Sequence, residues 1–462
     1  MTRSHLPRSF EAAACAALFT VSALTGCASA GSGSEVKAPA TTIVIDSASL
    51  YAIAQSGDSA GLAGHVRTTC ASAADKPACY ESLLAIPAAR GRVKVAMGAL
   101  SQLAARDADI RRSGHVYAHA IGIAAGKGRR DVASAFSECS ESFQSGCYHG
   151  VIQAYFAGLD SISAADANAL CAPFRRNEAD KWLRFQCVHG MGHGLTMLYD
   201  HDLPKGLAGC DLLTEWWDRH SCYSGAFMEN IVNVTMPHHP ASALAHHDGK
   251  AEEMPGMDDH DMSDMGHDMS GMAHGSGPKF KPIDPSDQQY PCSKMGERYL
   301  SACYEMQTSV MLYNNKGDIA GAAKDCDKAP VAMRAICYAS LGRDISSYSQ
   351  QKHSEAIRMC SLGTPKYQPY CYYGLVKNFI DLDARPSDGI AMCRDVPGSA
   401  NKAVCYNAVG EQILALTASV DSRRALCSSA EAEYVDACFY GARIEGVRAP
   451  EVLQEVWASV RQ

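Results

Sequence analysis

Apolar positions in the second half of this chain recur at a helical spacing. Between Val331 and Ile345, the residues Ile336, Tyr338, Leu341 and Ile345 fall at a rough 3.6-residue period, which predicts one buried helix face. A shorter helix precedes each such segment. There Ile390 and Met392, or Ala425 and Leu426, lead into a cysteine, with N-cap candidates at Ser387-Asp388 and Asp421-Ser422. A polar turn separates the two helices, so the unit reads as a helical hairpin.

The hairpin repeats. Its second helix carries a cysteine early, and from Cys303 onward, through Cys337, Cys371 and Cys405 to Cys438, these cysteines lie 34, 34, 34 and 33 residues apart. A fixed period of this length marks a helical-hairpin repeat. Upstream, the gaps from Cys79 through Cys147, Cys187 and Cys222 to Cys303 are 68, 40, 35 and 81. They fit the same unit if one repeat near residue 115 lacks its cysteines and one gap holds an insertion. The predicted fold is all-α: an array of helical hairpins, an α-solenoid with a period of about 34 and disulfides inside the repeats.

Eighteen cysteines beyond residue 27 fall into consecutive pairs: Cys70 with Cys79, Cys139 with Cys147, Cys171 with Cys187, Cys210 with Cys222, Cys292 with Cys303, Cys326 with Cys337, Cys360 with Cys371, Cys393 with Cys405 and Cys427 with Cys438. An even count with none left over favours a disulfide framework and an oxidising compartment. No Cys-x2-Cys spacing suggests zinc.

The second cysteine of each pair opens a recurring phrase, as in Cys147-Tyr148-His149-Gly150, Cys187-Val188-His189-Gly190 and Cys371-Tyr372-Tyr373-Gly374. Period and staple together resemble the Sel1-like and tetratricopeptide superfamily, above all its secreted cysteine-rich members, although the cysteine spacing here is wider. The phrases around His149, His189 to Gly194, Cys222 to Asn230, Cys303 to Ser309 and Cys337 to Ser346 are similar to those of a group of exported bacterial proteins. That resemblance implies the architecture and no particular activity.

The N-terminus reads as a processing signal. Arg3 and Arg8 precede an apolar run from Ala12 to Leu24 that ends in Leu24-Thr25-Gly26-Cys27. This resembles the bacterial lipoprotein signal, which implies cleavage before Cys27 and acylation of that cysteine. The expected location is then the cell envelope, lipid-anchored, with Ala28 pointing to the periplasmic side of the outer membrane in a Gram-negative cell. No other run of about 18 apolar residues is present. The expected organisation is a signal peptide at 1–26, a flexible tether at 27–60, N-terminal repeats at 61–236, an insertion at 237–290 and C-terminal repeats at 291–462. Net charge is −8, and loss of residues 1–26 with two Arg and one Glu makes it −9, which argues against nucleic acid as a partner.

The insertion holds His238, His239, His246, His247, His260, His267 and His274 among Met254, Met257, Met262, Met265, Met269 and Met272. Rich in Gly, Pro and Asp and poor in aliphatic residues, it is expected to be disordered. Thioethers are soft ligands that select Cu(I), and imidazoles suit both copper oxidation states. The tract resembles the Met/His-rich segments of periplasmic copper-resistance proteins.

A second histidine group sits in the early repeats. His115 and His119 are spaced i, i+4, as are His189 and His193, so each pair shares a helix face. His149 and His189 hold the same place in successive repeats, two after the cysteine. Stacking would bring these rings together at one ion, with Glu229 adding a carboxylate and Asp211 or Tyr148 supporting the ligands. Signatures for covalent haem, a zinc protease helix, a serine nucleophile elbow and a phosphate loop are missing. The reading is a lipoprotein that binds a transition metal, copper first, with a protein partner on the concave face or metal-dependent catalysis as the alternatives.

Overall fold

The computed structural model describes residues 47–129, 131–177, 180–235 and 280–461, all within one compact unit. The signal segment, Cys27 and the Met/His tract from His238 to His274 lie outside the described residues. Among those described, the chain is helices and turns without a strand. Among the described residues no helix is long and apolar enough to cross a membrane.

The repeat unit is a hairpin closed by a disulfide. Nine bridges join the nine sequence-adjacent pairs, with Cα atoms 5.5 to 5.8 Å apart. In the late repeats the bridged loop is nearly constant: Cys292 to Cys303, Cys326 to Cys337, Cys360 to Cys371 and Cys427 to Cys438 each span 11 residues, and Cys393 to Cys405 spans 12. The early bridges vary more, from 8 for Cys139 to Cys147 and 9 for Cys70 to Cys79, through 12 for Cys210 to Cys222, to 16 for Cys171 to Cys187. The early turns therefore differ in length while the bridged helices keep one spacing. The cysteine-free repeat near residue 115 is the pair Val93–Ala104 and Gly114–Gly126, with the short helix Ala108–Arg112 in its turn. The second helices of the repeats pack side by side as an inner layer: Lys76–Ala89, Gly114–Gly126, Gly146–Phe156, Lys181–Leu198 and Trp216–Thr235, then Val331–Tyr348, Gln368–Asp383, Ser399–Leu416 and Val435–Gly441. In Val331–Tyr348 the stripe Tyr338, Leu341 and Ile345 is buried and Ile336 partly so.

Neighbouring inner helices touch backbone to backbone. A Cβ placed on Gly122 would run into the carbonyl oxygen of Cys147, and one on Gly150 into that of His119. Gly192 and Gly225 make the same reciprocal contact one pair further on, against Cys222 and His189. Close approach of these helices sets the histidines on facing turns.

The first helices are shorter and carry the caps. Asp58, Asp131, Ser163, Asp202 and Asp318 each accept a hydrogen bond from a first-turn backbone N–H, and Asp75 does the same for the inner helix Lys76–Ala89. The caps expected at Ser387-Asp388 and Asp421-Ser422 are displaced. Ser419 caps Val420–Cys427, Asp421 falls in its first turn, and Pro386–Asp395 begins without a side-chain cap.

Two boundaries shift. The helix Ser47–Gln55 begins inside the expected tether, because Leu50 and Ala54 are fully buried against the first repeat. Residues 280–290, expected to belong to the insertion, are fastened to the repeats. Asn230 Nδ2 donates to Pro282 O at 3.1 Å, and Gln307 Nε2 donates to Gln288 O and Tyr290 O at 2.8 Å each.

The array curves until early and late repeats meet. Phe143 N donates to Leu382 O at 2.8 Å, and Gln144 Nε2 donates to Asn378 Oδ1 at 2.8 Å. This clasp and the contact of Lys181–Leu198 with Ser399–Leu416 place the inner faces of the two halves opposite one another.

Candidate metal centre

Four inner helices deliver the site. Gly114–Gly126 carries His115 and His119, Gly146–Phe156 carries His149, Lys181–Leu198 carries His189 and His193, and Trp216–Thr235 carries Glu229. His119, His149, His189 and His193 retain between 1 and 4 % of their surface, and His115 is half-buried. The rings of His149, His189 and His193 lie with centroids 4.9 to 5.2 Å apart, and His119 and His115 continue the cluster at 5.3 and 5.5 Å from His149.

Each ring is held by one nitrogen. His149 Nε2 donates to Gln186 Oε1 at 2.8 Å, His193 Nδ1 donates to Glu229 Oε2 at 2.8 Å, and His189 bonds to the backbone of Ser221. The other nitrogens, His149 Nδ1, His189 Nδ1 and His193 Nε2, are buried without a partner. One donor atom from each of these three residues lies within 4.8 Å of the others, and the same holds for His115, His119 and His149. In the second set, His119 Nδ1 bonds Gln153 Oε1 and His115 Nδ1 bonds Phe143 O, both at 2.9 Å, so the two Nε2 atoms face each other at 3.1 Å.

The residues fit a metal ion. Metal–imidazole bonds of about 2.0 to 2.1 Å need donors roughly 3 to 4 Å apart, which small side-chain rotations reach from the observed spacing. A partner oxygen behind a ligating histidine, fixing its tautomer, is the usual support of such sites. Left as they are, three buried unpartnered nitrogens cost roughly 1 to 3 kcal/mol each. Burial, reinforced by the neighbouring histidines, holds His149 and His189 well below the ordinary imidazole range. Their lone pairs are therefore available at neutral pH.

Glu229 stands behind the ligands. Its Oε2 accepts from His193 and from Gln153 Nε2 at 3.2 Å, and its Oε1 accepts from His201 Nε2 at 3.3 Å. Burial alone would raise its carboxyl. The hydrogen bonds from His193 and His201 outweigh this and hold it well below the carboxylate range. Neither residue expected in support is at the site. Asp211 accepts from the hydroxyls of Tyr223 and Tyr299, the latter at 2.7 Å. Tyr148 turns its ring to Phe136 and its hydroxyl to Glu141. Gln153, Gln186 and His201 carry the supporting role, and no motif spacing marks them.

His115 also lines a cleft of about 380 Å³ between the early and late repeats, with Phe143, Gln144, Gln351 and Leu382. The cluster thus runs from this half-exposed ring inward to His189. Comparison of the chain with protein-family models, with curated proteins and with solved structures finds no match.

Proposed function

We propose that this protein is an envelope-anchored metal-binding lipoprotein that takes one transition-metal ion at a time, copper foremost, on His149, His189 and His193. The observation that carries the reading is the buried cluster of His149, His189 and His193, brought together from two adjacent repeats: one donor atom from each lies within 4.8 Å of the others, and each ring has a buried nitrogen without a partner. Three imidazoles suit copper, zinc or nickel. The Met/His tract of His260, Met262, Met265, His267, Met269, Met272 and His274 narrows that choice to copper by its thioethers.

His149 belongs to both donor sets, and its one unpartnered nitrogen serves one ion. The outer pair, His115 and His119, is accordingly a relay between the cleft and the inner three rather than a second permanent site. The tract would capture the ion, and the lipid on Cys27 would keep the protein at the membrane.

Anaerobic Cu(I) titration against a competing chelator tests this. The full chain should hold one tight equivalent that His189→Ala with His193→Ala removes. Replacing His115 and His119 with alanine should slow loading and spare the tight equivalent. Unchanged tight binding in the His189/His193 variant would sink the proposal. In cells, Cys27→Ser should move the protein from the membrane fraction to the soluble one.

A further inference from the structure

A second cavity, of about 900 Å³, lies where the helix Lys181–Leu198 faces the late repeats. That size is at the upper end for small-molecule sites, about 300 to 1,000 Å³. Three of the chain's four tryptophans line it: Trp182 and Trp217 from the early repeats and Trp457 from the last helix, with Phe185 and Tyr440 beside them. Phe185 and Trp217 lie 6.1 Å apart between ring centres, and Tyr440 and Trp457 lie 5.7 Å apart.

The facing wall is polar and tied together. Tyr373 Oη donates to Glu411 Oε2 at 2.5 Å, and Lys377 Nζ donates to the same carboxylate oxygen at 3.3 Å. Gln412 bonds Asp381, and Asn407 Nδ2 donates to Glu411 Oε1 at 3.0 Å. Two polar atoms are left over. Asn407 is 4 % exposed and its Oδ1 has no partner, and the Nε1 of Trp182 is likewise buried and unpartnered. Both residues line the cavity, Trp182 from the early repeats and Asn407 from the late ones, so each half brings one orphaned polar atom to its edge.

The lining charges nearly cancel. Lys181, Lys377 and Arg443 stand against Glu411, Glu445 and Asp381, whose carboxyl is raised by burial, so the balance is close and neither an anion nor a cation is strongly favoured. What suits flat indole rings from both halves beside mixed amide, carboxylate and ammonium groups is a ligand with an apolar face and many hydroxyls. We propose that this cavity binds a short neutral oligosaccharide, stacked on the tryptophans and hydrogen-bonded to Asn407 Oδ1 and Trp182 Nε1. The inference is independent of the metal reading.

Calorimetric titration of the full chain with maltotriose, cellotriose and chitotriose, read in parallel by tryptophan emission, tests it. At least one should bind and shift the emission. Trp182→Phe, which keeps a ring and removes only the N–H, and Asn407→Ala should each weaken that binding by about tenfold while the Cu(I) titration is unchanged. The proposal is overturned if none of the three binds at roughly 10 mM. It also fails if both variants bind as the parent does, or if a neutral tripeptide such as trialanine binds in place of the sugars.

Discussion

Gly150 and Gly64 make a matched pair for asking what the close helix contacts are worth. Both are helical, but a Cβ on Gly150 meets the His119 carbonyl whereas one on Gly64 meets nothing within 4 Å. Gly150→Ala should therefore lower stability by about 1 to 3 kcal/mol through forced separation of two helices. Gly64→Ala should raise it by up to about 1 kcal/mol, both read by thermal melting. Asp381 offers a pH test. Burial pushes its carboxyl up to about 7 against the opposing pull of Lys377. An acid raised in the folded state keeps its proton there while the unfolded chain has lost it. Its contribution to stability is thus complete below the ordinary carboxylate range and falls as pH climbs to about 7. Asp381→Asn should flatten this dependence and raise the melting temperature more at pH 8 than at pH 4. The histidines were legible at this scale because their i, i+4 spacing and their register after the cysteine are local facts. Gln153 and Gln186, which orient them, were not, since a glutamine on a helix has no spacing that separates support from solvent exposure.

The hairpin is the element that sequence reveals best, and its staple explains why. A cysteine at a fixed place in each of two helices marks both where the hairpin starts its return and which faces meet. Closing a loop of 11 residues between Cys326 and Cys337 stabilises by roughly 2 to 3 kcal/mol on the loop-entropy account. Replacing both with alanine should cost about that much. Hydrogen exchange should rise first in the helices Ile319–Lys328 and Val331–Tyr348 that the bridge joins. Peptide mapping without reduction should recover only the nine sequence-adjacent links. The tyrosine after the cysteine follows the same logic. Tyr304, Tyr338, Tyr372 and Tyr406 are buried in successive repeats, and Tyr338 reaches Asp327 and Ala323 with its hydroxyl. Element ends were less legible. Ser47–Gln55 and residues 280–290 are decided by what they rest on, Leu50 in the first case and Gln307 in the second, and neither support is visible in a local window.

At the scale of the whole molecule, removal of residues 241–279 should leave helical content and disulfides unchanged by circular dichroism and mapping, since the tract is poor in the apolar residues that packing needs and the described chain on its far side is held by Phe280 and Pro282. The curvature that opposes early and late repeats had no sequence signature. Both clefts join segments about 200 residues apart, and periodicity reports only on neighbours. The Gln144–Asn378 bond spans 234 positions. A double-mutant cycle with alanine at both should give a coupling of about 0.5 to 1.5 kcal/mol. That same bond has a kinetic consequence. Stapled hairpins form from local contacts and are fast, whereas a contact of such sequence separation waits for everything between its ends. On refolding with disulfides intact, far-ultraviolet ellipticity should recover before tryptophan emission. The chamber between the halves is the last part of the molecule to come into being.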